Sequence, residues 1–285
     1  MSGLKIIRRR IRSIQSTQQI TRVMKMVAAA KLKRAQENII HARPYALRLR
    51  EVIRELATRA DRSHHPLLTL RDPRRIGLVV VTGDRGMCGS FNTGIIRRAQ
   101  RLMEEQREYE MRIITVGKRG TDVFSRLDAP IVEKMAGFFN RLEFLHAVQL
   151  GQSVIDRYVA HDLDRVYIVH NEFKSAIQQN VVVEQLLPIE PDPADAHVIT
   201  SDILYEPSEE SVLESILPLF VRIQVWRILL ESFAAEMGAR MTAMENATQN
   251  AQELIESLTL TYNKARQAAI TREILEVVSG AESLR

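Results

Sequence analysis

Three glycines in the loop GDRGMCGS, Gly83, Gly86 and Gly89, are the best-placed residues for chemistry; the loop follows the apolar run IGLVVVT (76–82). Between a strand and a helix, such a loop can turn backbone amides toward a phosphate. Their spacing is G-x-x-G-x-x-G, however, not the dinucleotide fingerprint G-x-G-x-x-G, and no Lys-Ser/Thr pair follows as a P-loop requires. The next apolar run, MRIITV (111–116), ends at Gly117-Lys118-Arg119 and offers no acid for a ribose, although two cations could suit a 2′-phosphate. An NADP-type oxidoreductase is therefore one reading. The plainer one is a tight turn that needs glycine backbone freedom.

Other candidates carry less. The seven histidines show no metal-ligand spacing. Cys88 is the one cysteine; it has no histidine beside it to act as base, and it excludes an intrachain disulfide or a cysteine-built zinc site. No carboxylate pair is singled out for acid–base work. We expect no catalytic residue, no metal and no cofactor.

The elements that would carry such residues are set by where glycine and proline fall. Nine of the twelve glycines lie between Gly77 and Gly151, and prolines cluster at 66 and 73 and again from 188 to 207. These residues punctuate loops and are costly inside helices, so the chain divides into residues 1–60, 75–195 and 208–285. The middle alternates apolar runs with helical stretches: strands at 76–82, 111–116, 165–170 and 180–187, with helices to about 105, at 122–127 and at 141–161. That pattern predicts a mostly parallel, Rossmann-like α/β domain.

Both ends read as very long helices. From Leu4 through Ile14, Gln18, Thr21, Lys25, Ala28, Leu32, Leu49, Ile53 and Leu56 to Ala60, seam positions recur at 3-4 spacing, and Pro44 should kink this helix without ending it. Ile20, Met24 and Val27 offer an offset apolar stripe where the seam turns polar. The C-terminal segment repeats the pattern through Met244, Ala247, Ala251, Leu254, Leu258, Thr261, Ala265 and Ala268, with Ser211 or Ser208 as its N-cap. The two helices should pair as an antiparallel coiled coil. Residues 1–60 carry a net charge of +12 within a chain of +5, so this segment should meet an acidic partner: nucleic acid, an anionic lipid surface or protein. No apolar run reaches the ~18 residues of a membrane span, and the basic start lacks a signal peptide's apolar core. A soluble protein of a reducing compartment is expected.

Three blocks of this sequence resemble the gamma subunit family of F-type ATP synthases. They are ITRVMKMVAAAKLKRAQ (20–36), DRGMCGSFN (84–92, with Met87 where leucine is usual) and RMTAMENATQNAQELIESLTLTYNKARQAAITREILEVVSGA (240–281). The resemblance implies a central rotor shaft, whose paired terminal helices enter a ring of three alpha and three beta subunits. Its globular domain would bind epsilon and the c-subunit ring. Catalysis would lie on beta, so this chain would couple ion flow to ATP synthesis, or the reverse, without being an enzyme.

Residue by residue, the resemblance implies that Met24 and Lys25 face the acidic lever of beta. Arg240, Arg266, Gln267, Thr271 and Glu273 would engage beta catch loops. Tyr205 and Glu206 would form the foot at the c ring and epsilon, where Ile203 departs from the tyrosine common in the family. The chain lacks the cysteine-pair insertion of plant chloroplast members, so direct thiol control is not expected. A match beginning almost at Met1 leaves no room for an organellar transit peptide. The implied location is the cytoplasmic face of a bacterial cell membrane, held peripherally. The rival to the oxidoreductase and to the rotor is a basic coiled coil that binds nucleic acid, which should show a steep salt dependence.

Overall fold

The computed structural model describes residues 2–59, 65–175, 178–190 and 208–282. Among the described residues these α-helices and strands follow in chain order: α1 (Ser2–Arg59), β1 (Arg75–Val81), α2 (Phe91–Glu105), β2 (Glu110–Val116), α3 (Lys118–Arg126), β3 (Ile131–Met135), α4 (Phe144–Val159), β4 (Arg165–Phe173), β5 (Gln179–Leu187) and α5 (Glu209–Glu282). They form two compact units, one of Met1–Ala28 with Arg240–Arg285, the other Ala29–Ala239.

The larger unit is a five-stranded sheet of order β3-β2-β1-β4-β5, parallel except for the antiparallel edge strand β5. The period-2 geometry of a strand sends alternate residues to opposite faces. On β1, Val79 and Val81 therefore join one core, packed on α4 (Leu150, Val154), α5 (Val221, Val225) and α1 (Leu49, Ile53). Ile76, Leu78 and Val80 join the other, under α2 (Phe91, Ile95, Ala99) and Phe124 of α3. Strand β3 was not expected: its five residues IVEKM include two charges, too few and too polar for a periodic signal. Helix α3, of which 122–127 was expected to form part, begins at Lys118, with Gly117 as its N-cap.

The smaller unit is the antiparallel helix pair. Gln18 donates to Gln252 at 2.9 Å, the Thr21 and Thr248 hydroxyls meet at 2.7 Å, and Lys25 pairs with Glu245. Positions on α1 thus rise as those on α5 fall. From Leu4 to Ile53 the α1 seam is the expected one, its last positions Leu56 and Ala60 lying outside the described side chains, while Ile20 and Val27 of the offset stripe are 60% and 50% exposed. The α5 seam differs from expectation. Leu254 is 53% exposed, Thr261 and Ala268 are also exposed, and Ile255, Tyr262 and Ala269 turn inward instead. Both stripes flank Ala251, Leu258 and Ala265 on one helix, so apolar spacing alone does not choose between them; the side on which α1 lies does. At the start of α5 the Ser208 hydroxyl accepts from the Ser211 amide, so Ser208 is the cap. Both α1 and α5 continue through their internal prolines, Pro44 and Pro218.

Candidate functional site

The glycine loop is closed by its own side chains. The Asp84 carboxylate accepts from the amides of Lys118 (3.1 Å), Gly137 (3.0 Å) and Phe139 (3.4 Å). Asn92 accepts from the Gly83 amide at 2.9 Å and donates to the Arg85 carbonyl and the Cys88 sulfur. A Cβ on Gly83 would lie 2.7 Å from the buried carboxylate of Glu236, and one on Gly117, at φ 89°, would lie 2.0 Å from the Thr82 carbonyl oxygen. Gly83 thus leaves room for the Glu236 side chain of α5, and Gly117 lets the chain after β2 approach the backbone at the end of β1. Two carboxylates now stand where a phosphate would need positive potential. The tight-turn reading holds for the loop, and the oxidoreductase reading finds no site there.

The residues singled out for partner contacts are placed as follows. Met24 is half-buried on α1, and Lys25, with 39% of its side chain exposed, pairs with Glu245. Arg240 is 8% exposed. Arg266, Gln267, Thr271 and Glu273 are all exposed, and the Thr271 hydroxyl donates to the Gln267 carbonyl at 3.0 Å. Seven residues make two helical turns, so Arg266 and Glu273 share one stripe, while Gln267 and Thr271, four residues apart, share another on a different side of the helix. Tyr205 and Glu206, with Ile203, lie outside the described residues. The pairing register puts the start of α1 opposite about residue 268 of α5. From Ile270 to Ser279 every residue of α5 is exposed, including Ile274, Leu275, Val277 and Val278.

A second polar group went unnoticed in the sequence. His170 on β4 is fully buried, with Glu184 of β5 3.5 Å and Glu231 of α5 3.9 Å from its Nε2. Arg227 bridges both carboxylates and donates to Gln224 at 3.0 Å. Burial lowers the His170 pKa to about 4, the Arg227 charge adding to this and Glu184 opposing it. Burial likewise raises Glu231 above the usual carboxylate range against the pull of Arg227. The signal available was His170's place on the inward alternation of β4, beside Val166 and Ile168. Between pH 6.5 and about 4 the unfolded chain binds a proton at this site and the folded chain does not. Stability is therefore expected to fall as pH is lowered through that window, and to be undiminished by this group above it. Melting of the native chain and of His170→Leu from pH 7.5 to 4.5 measures it; the variant should lose less.

Among the described residues no cluster of histidine, cysteine and carboxylates could hold a metal, and no helix is long and apolar enough to cross a membrane. The family model described as ATP synthase matches residues 3–284. The chain is 45% identical over 287 residues to the ATP synthase gamma chain of Geobacter sp. (strain M21), covering 100% of both chains. The chain belongs to the ATP synthase gamma family. The gamma chain of Anaeromyxobacter dehalogenans is 48% identical over 289 residues, again covering 100% of each. A solved structure of the central stalk and c ring of the Tetrahymena thermophila mitochondrial ATP synthase contains a chain similar at TM-score 0.63 and 27% identity. That match covers 80% of this chain and 99% of the other. A chain of the Euglena gracilis mitochondrial ATP synthase shares the fold at TM-score 0.71 and 22% identity, covering 99% and 95%. The paired terminal helices and the five-stranded sheet are thus those of a gamma chain, and the nucleic-acid and oxidoreductase readings gain nothing from these matches.

Proposed function

We propose that the chain is the rotor shaft of a bacterial F-type ATP synthase, coupling ion flow through the membrane c ring to conformational change in the catalytic beta subunits. It makes and breaks no bonds itself. Its partners are three alpha and three beta subunits, epsilon and the c ring, and it sits peripherally at the cytoplasmic face of the cell membrane. The observation that carries this reading is the unpaired end of α5. Isolated helix surface with Ile274, Leu275, Val277 and Val278 at 54–72% exposure needs an apolar surround from outside the chain. The interior of a subunit ring supplies one. The basic face of α1 also has exposed cations in consecutive positions, Arg8, Arg9 and Arg10, which point around the helix rather than along one groove-sized stripe. Such a distribution suits acidic groups met in turn around a ring better than one duplex. Met24 and Lys25 meet the beta lever, Arg240, Arg266, Gln267, Thr271 and Glu273 the catch loops, and Tyr205 and Glu206 form the foot.

A contact that is equal in every rotational state shifts no equilibrium, so a torque-bearing group must be bound better in one state than in the next. Arg266 and Gln267 are exposed and directional, and remote from any phosphate on beta. Changing both to Ala is expected to slow steady-state ATP turnover about tenfold, the effect of losing ~1.4 kcal/mol of bias, while first-site nucleotide affinity stays unchanged. Hydrolysis rates and single-site binding on assembled complexes measure this. Normal turnover in the double variant would remove these two residues from the catch.

A further inference from the structure

In the larger unit, α1, α5 and the end of β4 enclose a cavity of about 680 Å³. Its apolar wall includes Ala42 and Ala46 of α1 and Ile223 of α5, where small side chains leave the space open. Four aromatic rings border it: Tyr45, which is 58% exposed, Phe173, Phe144 and Trp226, the last two in edge contact with centroids 5.9 Å apart. The polar side is carried by Glu172 and Glu231 with Lys174 and Arg227.

Behind that side Glu184 also draws on Arg227. Lys174 pairs with Glu172 at 2.6 Å. Arg227 alone serves both Glu184 and Glu231. Among the described residues three carboxylates therefore share two cations, and His170 behind them is neutral at physiological pH, its pKa lying near 4. Burial raises the Glu231 pKa although Arg227 pulls it down, and Glu184 and Glu172 beside it add to the rise. Aromatic faces attract a cation through their ring quadrupoles, most strongly at tryptophan, and pockets of a few hundred Å³ with few polar groups are the usual shape of small-molecule sites.

We propose that this cavity binds a small amphiphilic monocation, an aryl- or alkylammonium whose apolar body lies along Ala42, Ala46 and Ile223 and whose charge faces Glu172 and Glu231.

Trp226 is the chain's one tryptophan, so the fluorescence of the full chain reports directly on the cavity. Three probes share a skeleton and differ in charge: 4-phenylbutylammonium, 4-phenyl-1-butanol and 4-phenylbutyrate. The ammonium should change Trp226 emission saturably, with an affinity about tenfold above the alcohol, and the carboxylate should bind more weakly still. Glu172→Gln should lower ammonium affinity severalfold and leave the alcohol unchanged. Ala42→Leu, which fills the space, should weaken both probes. Equal affinity for ammonium and alcohol, an ammonium affinity indifferent to Glu172→Gln, or the absence of a saturable response would overturn the proposal.

Discussion

Aspartate at Ala251 is expected to destabilise the helix pair by about 3 kcal/mol, whereas aspartate at Leu254, three residues on, should change stability by less than ~0.5 kcal/mol. Ala251 is 6% exposed and lies between two cross-helix contacts, Thr21 with Thr248 and Gln18 with Gln252. A carboxylate there must enter a space that fits a methyl group, and it must give up water without a cation to receive it. Leu254, at 53% exposure, loses only a partly solvated apolar side chain. Apolar periodicity alone ranks Leu254 as a seam residue of equal standing. The pair of variants therefore separates the observed register from the one the spacing first suggests. Denaturant unfolding of the full chain, followed by helical circular dichroism, gives the comparison; equal midpoints for the two would contradict the register.

Replacing Arg227 with Met should cost about 3 kcal/mol near neutral pH, the lower end of what breaking a buried ion pair costs, because Glu184 is partly exposed and can recruit water. The cost is not the pair's net worth. It arises because Glu184 and Glu231 lose their shared cation while facing one another and His170. Arg227 also helps hold His170 neutral, so its removal should raise the histidine's pKa. Protonating His170 or Glu231 then relieves the defect, and the gap between native and variant chains should narrow as pH falls from 7 toward 5. A gap that stays constant or widens would show that the cluster is not electrostatically coupled.

How much of this was legible follows from the length and redundancy of each signal. The α1 seam was read correctly over some fifty residues, because a 3-4 repeat sustained from Leu4 to Ile53 leaves one consistent face. The α5 seam was ambiguous, since Leu254 beside Ile255 and Ala268 beside Ala269 offer two stripes of equal hydrophobicity. The loop Gly83–Gly89 announced a tight turn, but Asp84 as the group that ties it to Lys118, Gly137 and Phe139 depends on partners more than thirty residues away. The same holds for His170, Glu184, Arg227 and Glu231, which meet only when β4 and β5 pair under α5. Local pattern carries elements; long-range pairing of single polar residues leaves no period to read.

The rotor claim is tested most directly by watching the chain turn. Cys88 is 1% exposed, so a cysteine placed at the exposed Glu108 would carry a bead at one defined point. With alpha and beta subunits fixed to a surface and ATP supplied, the bead should rotate in one direction, pausing once for each beta subunit in a revolution. Rotation should stop when nucleotide is withdrawn. Steady ATP hydrolysis by the same complexes with the bead stationary, or moving without preferred direction, would contradict the account.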